Sequence, residues 1–228
     1  MLYTPFDTLY LVLVLPTILF ALWAQFMVKS SFKKYSKQRT NNGLTGDDAA
    51  LHVLRQAGID NVRIERIHGN LTDHFDPRDN VIRLSDSVYD APSVAAVGVA
   101  AHEAGHAIQY SASYVPMKIR SAIIPVTSVG SQMAMPLVLL GIIFSFPGLI
   151  NIGILLFGAV VVFQLITLPV EFNASRRAVN ALRETGLLTA EELPASKKVL
   201  TAAALTYVGA LAVSLAQMLR LILMTRRR

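Results

Sequence analysis

Charged residues disappear from three stretches of the chain, and those gaps predict its organisation. Residues 8–28, TLYLVLVLPTILFALWAQFMV, contain no Asp, Glu, Lys or Arg. As a helix rising about 1.5 Å per residue, the run is long enough to cross a ~30 Å hydrocarbon core. A secretory signal would open with basic residues and stop sooner. Here Asp7 precedes the run, which predicts an uncleaved anchor. Residues 121–170 form a second uncharged block. Its length of about 75 Å as helix is two crossings rather than one. Phe146-Pro147-Gly148 is the natural hinge, so the two helices form a hairpin, the first of them kinked by Pro125 and Pro136. Residues 199–219 are a third uncharged run, rich in Ala and carrying Thr206, Ser214 and Gln217. Its length favours a further span, with a buried or membrane-surface helix as the alternative.

Between these runs the pattern changes. Thr45 followed by Asp48 resembles a helix N-cap with a first-turn acid, and Gly58 is a stop, which predicts a helix over residues 47–57 with Leu51, Val53 and Leu54 inward. Residues 62–67 and 80–85 alternate with period two and read as strands. The turn-rich stretch between them, ending Asp76-Pro77-Arg78-Asp79-Asn80, predicts an antiparallel pair. From Pro92 onward, SVAAVGVAAHEAGHAIQY lacks that alternation and suits a helix. A second polar segment, EFNASRRAVNAL from Glu171, also reads as a helix beginning there, stopped by Gly186.

Composition agrees with a membrane protein. The chain has 228 residues, 53% hydrophobic and 16% charged, well below the ~25% charged of soluble domains. It has no cysteine, which excludes disulfide scaffolds, iron–sulfur clusters and thiolate zinc sites. The net charge of +6 does not argue for nucleic acid, because the basic residues sit beside the apolar runs. Lys29, Lys33, Lys34, Lys37 and Arg39 follow the first run without an intervening acid. The positive-inside rule therefore puts that flank in the cytoplasm and the N-terminus outside. The hairpin crosses and returns, which puts Glu171 on the cytoplasmic side as well. A fourth crossing would carry Arg226, Arg227 and Arg228 outside, against the same rule.

The chemistry is concentrated in His102-Glu103-Ala104-Gly105-His106. Residues i and i+4 share a helix face, so the two imidazoles can hold one zinc ion while the adjacent carboxylate reaches its water. Chance would supply roughly 0.003 such matches in a chain of this composition. A catalytic zinc needs a third protein ligand. His52, His68, His74 and several acids are available, and no cysteine is. A third histidine six residues after the second, as in metzincins, would fall at Ala112, so that pattern fails. Glu171 is the best remaining candidate, since it follows the hairpin and returns to the side of His102.

HEAGHAIQY, a membrane hairpin and then EFNASRRAVNAL together resemble the YugP-type neutral zinc metallopeptidases of prokaryotic membranes. The likeness covers nearly the whole chain, including the anchor and the lead-in HFDPRDNVIRLSDSVYDAPSVAAVGVAAHEAGHA. More distantly the chain is similar to HtpX and to the type 1 CAAX prenyl proteases, which are gluzincins with a Glu third ligand. The resemblance implies one zinc ion held by His102, His106 and Glu171, with Glu103 as catalytic base. It implies a multi-pass zinc endopeptidase, with its site facing the cytoplasm, that hydrolyses membrane or membrane-proximal polypeptides through a zinc-activated water. HtpX has an Asp four residues after the ligand Glu; this chain has Ser175 there. In gluzincins the strand before the active helix is an edge that pairs with substrate, which would be Val81, Ile82, Arg83 and Leu84. Arg176, Arg177, Asn173 and His74 are candidates for stabilising the oxyanion.

The expected architecture is a mainly α membrane protein with three or four transmembrane helices and a small α+β zincin-like unit. Its parts are an anchor (1–29), a cytoplasmic catalytic segment (30–120), a hairpin (121–170), a third-ligand segment (171–198) and a C-terminal membrane helix with a basic tail (199–228). Partners are a polypeptide substrate and the lipid bilayer, not nucleic acid. The competing reading is a zinc-binding membrane scaffold or chaperone-like protein without hydrolysis, for which Glu103 would have no use. An intramembrane protease with an Asp ligand on a later span is disfavoured, since residues 121–170 contain no Asp.

Overall fold

The structure is a computed structural model that describes residues 8–226; Asp7, Arg227 and Arg228 lie outside them. A π-wound stretch, Tyr10–Val14, leads into α1 (Leu15–Tyr35). Then come α2 (Gly46–Gln56), β1 (Arg63–Ile67), β2 (His74–Asp76), β3 (Val81–Ser85) and α3 (Val94–Ser111). The chain ends in three long helices, α4 (Val115–Ile143), α5 (Pro147–Glu184) and α6 (Leu193–Arg226). Among the described residues four helical segments are long and apolar enough to cross a bilayer: Tyr10–Tyr35, Val115–Ile143, Pro147–Glu184 and Leu193–Thr225.

The chain forms two compact units. The first takes the residues up to Ala24, Ile119–Leu168 and those from Leu205 onward. It is built of helical segments packed through small residues, because side chains in lipid gain little from burial and close backbone approach is what binds helices there. A Cβ on Gly153 would lie 2.7 Å from the Ala134 carbonyl, and one on Gly209 would lie 2.9 Å from the Ala21 Cα. Large apolar side chains such as Leu19, Val129, Leu155 and Val162 point outward, as a lipid-facing surface requires.

The second unit takes Gln25–Lys118 and Pro169–Ala204. Its core surrounds α3. The small face Ala95, Ala96, Ala100, Ala101 and Ala104 is fully buried, against Val53 and Leu54 of α2, Ile82 and Leu84 of β3, and Leu182, Val199 and Leu200. The capping chemistry follows the sequence pattern. Asp48 Oδ2 accepts the Thr45 backbone N–H at 3.3 Å. Ser93 Oγ accepts the Ala96 N–H at 3.2 Å, satisfying a donor that the helix itself leaves unpaired.

Leu51 of α2 is exposed rather than inward, and two further sequence expectations fail here. Residues 62–67 and 80–85 do not pair antiparallel: β1 and β3 run parallel, with Arg63 opposite Val81 and Ile67 opposite Ser85. The intervening stretch supplies β2, which forms the tight hairpin with β3, pairing Phe75 with Ile82. The sheet order is therefore β1-β3-β2. It follows that β3 is the central strand. Val81, Ile82 and Leu84 are fully buried and their strand is bonded on both sides, so Val81, Ile82, Arg83 and Leu84 offer no free edge to a substrate. The second failure is the helix start at Glu171. Helix α5 runs unbroken through Pro169, which removes one backbone hydrogen bond but does not end the helix, as proline often does not in membrane helices.

Candidate metal centre

Helix α3 puts His102 and His106 one turn apart, their rings edge to face with centroids 4.7 Å apart. Helix α5 brings Glu171 against both. Glu171 Oε2 lies 3.3 Å from His102 Nε2 and 3.5 Å from His106 Nε2. One ligand atom from each residue lies within 4.8 Å of the other two. His106 and Glu171 are buried and His102 is half-buried.

Gly105, inside the motif, is what allows this approach. A Cβ there would stand 2.6 Å from the Ala174 carbonyl oxygen and 3.3 Å from its Cα. Both obstacles are backbone, so neither can swing aside. Gly105→Ala should push α3 and α5 apart, destabilising the unit by about 1–3 kcal/mol and weakening metal retention. Thermal unfolding with a zinc assay on the same sample would test this, and an unchanged melt with unchanged zinc would refute it.

The other ring nitrogens are also engaged. His102 Nδ1 is 3.1 Å from Ser175 Oγ, so the hydroxyl four residues after Glu171 touches the first histidine of the motif. His106 Nδ1 is 3.0 Å from Gln109 Oε1. Such contacts orient a ligating imidazole and raise its basicity. Three lone-pair-bearing atoms do not converge in a buried place without a cation or protons between them. Two imidazole nitrogens and one carboxylate oxygen are a donor set that zinc accepts with a coordination position left open. The residues present therefore fit the metal.

Glu103 lies on the adjacent face of α3 and is buried. Burial pushes its carboxyl up to about 7; His102 opposes the shift, Glu171 and Asp73 reinforce it, and the Phe75 backbone N–H pulls it down. Asp73 is itself raised by burial, although it accepts the Ser85 N–H at 2.7 Å and the Ser85 hydroxyl at 3.1 Å. Of the four oxyanion candidates, Asn173 and Arg177 join the site through Gln109: Asn173 Oδ1 accepts from Gln109 Nε2 at 3.0 Å and from Arg177 Nε at 2.8 Å. His74 is exposed on β2, its Nδ1 2.9 Å from the Thr72 carbonyl. Arg176 is exposed. Sequence reasoning missed Gln109, Asp73 and Phe75. Only Gln109 carried a signal, three residues after His106 on the same helix face.

A helical membrane protein with this converging donor set belongs to a recognisable class. The chain belongs to the family described as "Putative neutral zinc metallopeptidase", matched over residues 10–226. It is 45% identical over 215 residues to the Bacillus subtilis (strain 168) protein named "Putative membrane protease YugP", covering 94% of this chain and 96% of that relative. No solved structure gives a significant match.

Proposed function

We propose that this chain is a multi-pass zinc endopeptidase of the gluzincin type in a prokaryotic cell membrane, with its site facing the cytoplasm. Its substrates are membrane or membrane-proximal polypeptides. His102, His106 and Glu171 hold one zinc ion and Glu103 is the catalytic base. The observation that carries this reading is the convergence of the two Nε2 atoms and Glu171 Oε2 beside a buried second carboxylate.

Zinc, when bound, supplies Lewis acidity that lowers the pKa of a water and polarises a carbonyl. The chain supplies the rest. Glu103 takes a proton from the attacking water and returns it to the leaving amine. Its apolar surroundings make it a far stronger base than a solvated carboxylate. Substrate alignment falls instead to the outer edge of β2, which pairs only with β3. Main-chain pairing there gives affinity with little sequence preference. Asn173, with its oxygen already accepting two hydrogen bonds, has its amide N–H groups to offer a developing oxyanion, and Arg177 its remaining guanidinium N–H groups; the His74 Nδ1 is turned to the Thr72 carbonyl.

Zinc content and cleavage of an unfolded protein such as casein, measured in detergent, test the reading. Stoichiometric zinc and chelator-sensitive cleavage are expected. Zinc without any cleavage across diverse unfolded substrates would favour the scaffold alternative. Glu103 must be ionised to accept a proton, so activity should rise with pH and level off. A neighbouring dication can only lower the carboxyl further, so the acid limb should fall at or below about 7. A limb well above 7 would exclude Glu103 as the titrating base.

Orientation has its own test, helped by the absence of cysteine. Single cysteines at Lys37 and Asn180 should resist a membrane-impermeant maleimide in intact cells and react after lysis. Labelling of either in intact cells would reverse the assignment.

A further inference from the structure

Gln109, already seen beside His106, is fully buried. Its amide joins the two helices at the metal centre. Oε1 is 3.0 Å from His106 Nδ1. Nε2 is 2.8 Å from the Val170 carbonyl and 3.0 Å from Asn173 Oδ1.

The orientation of that amide is dictated by its partners. The Val170 carbonyl can only accept a hydrogen bond. Asn173 presents its oxygen to the same place, because that oxygen also receives Arg177 Nε at 2.8 Å, and a guanidinium can only donate. Two acceptors therefore face one end of Gln109, and that end must be the NH2. Its oxygen is left facing His106, so His106 Nδ1 must carry the proton. Nε2 is then the ring nitrogen left to face Glu171 Oε2, 3.5 Å away, with a cation or a proton between them.

We propose that Gln109 is a positioning residue that locks His106 in the Nδ1–H tautomer, with the Val170 carbonyl and the Asn173–Arg177 pair fixing its own orientation. The carbonyl just before Glu171 thereby sets the state of His106 on the other helix, and the centre is ready for a divalent cation before one arrives. His102 has no equivalent lock. Ser175, its partner at 3.1 Å, can donate or accept and imposes no direction. The two histidines are thus unequal: His106 is preset and His102 adapts.

The proposal rests on the zinc reading, yet its test does not need hydrolysis. The full chain is purified in detergent, stripped of metal and labelled with nitrogen-15 at histidine. Long-range nitrogen–proton spectra at about pH 9, where free imidazole is neutral, report each tautomer. His106 should carry a slowly exchanging proton on Nδ1, whatever the state of Nε2; an unprotonated Nδ1 in the parent protein overturns the proposal without any variant. Zinc affinity is then measured by competition with a chelator. Gln109→Leu, which can neither accept nor donate, should release the tautomer and weaken zinc by about 10–100-fold. Gln109→Met keeps the side-chain volume but not the amide, and should weaken zinc as much as Gln109→Leu does. Ser175→Ala should weaken zinc less than Gln109→Leu does. Nδ1 protonation and zinc affinity both unchanged in Gln109→Leu, or zinc affinity restored to the parent value in Gln109→Met, would reduce Gln109 to packing. Should the stripped parent show the expected tautomer while no casein is cleaved, the lock stands and only the peptidase reading is lost.

Discussion

Glu171→Ala should leave the chain folded and unable to keep zinc. The carboxylate is buried among imidazoles, and a buried charge without its metal adds little to stability. Its removal therefore should not lower the melting temperature of metal-free protein. Structural zinc sites with four ligands bind with about 10–16 kcal/mol. Each ligand is thus worth roughly 3 kcal/mol, or on the order of 10²-fold in affinity. Inductively coupled plasma analysis after dialysis would show near-stoichiometric zinc in the parent and almost none in the variant. Retained zinc would mean that another residue completes the set. Neither His68 nor His74 is well placed to do so: His68 is fully exposed beside Asp86, and His74 is exposed on β2.

Glu103→Gln should do the opposite, keeping zinc and losing hydrolysis. The amide preserves the volume of the side chain beside Phe75 and removes only the basic oxygen. General acid–base catalysis contributes typically 10²–10⁴-fold, and cleavage should fall by about that factor. The pair of variants separates two failures that look alike in an activity assay. Loss of cleavage with metal retained assigns Glu103 to the chemistry, and loss of both assigns Glu171 to the metal. Full activity in Glu103→Gln would remove the base from the mechanism and leave the buried carboxyl without a role.

Much of this was legible in the sequence because the signals are local. An uncharged run of spanning length, a cap residue three positions before an acid, and two histidines four residues apart all act within a few turns of chain. The strands were legible for the same reason, yet their pairing was not. Residues 62–67 and 80–85 alternate alike whether they run parallel or antiparallel, and a three-residue strand such as His74–Asp76 leaves almost no pattern. The error about β3 followed directly: a strand is an edge or a centre only by virtue of its neighbours. Elimination points to Glu171, but its position within a continuous helix is not legible, since the uncharged block ends at Val170 and the polar segment after it reads as a separate element, whereas α5 runs across that boundary.

The sequence by itself determined that this chain lives in a membrane and carries an HExxH helix, because charge gaps and i,i+4 spacing are properties of a single helix. Tertiary structure alone decided that Glu171 meets both imidazoles, that Gly105 admits the Ala174 backbone, and that Gln109 spans from His106 to Val170. Those contacts join residues such as Gln109 and Val170, 61 positions apart, or His102 and Ser175, 73 apart. No local pattern encodes them, since their geometry is fixed by how two helices pack.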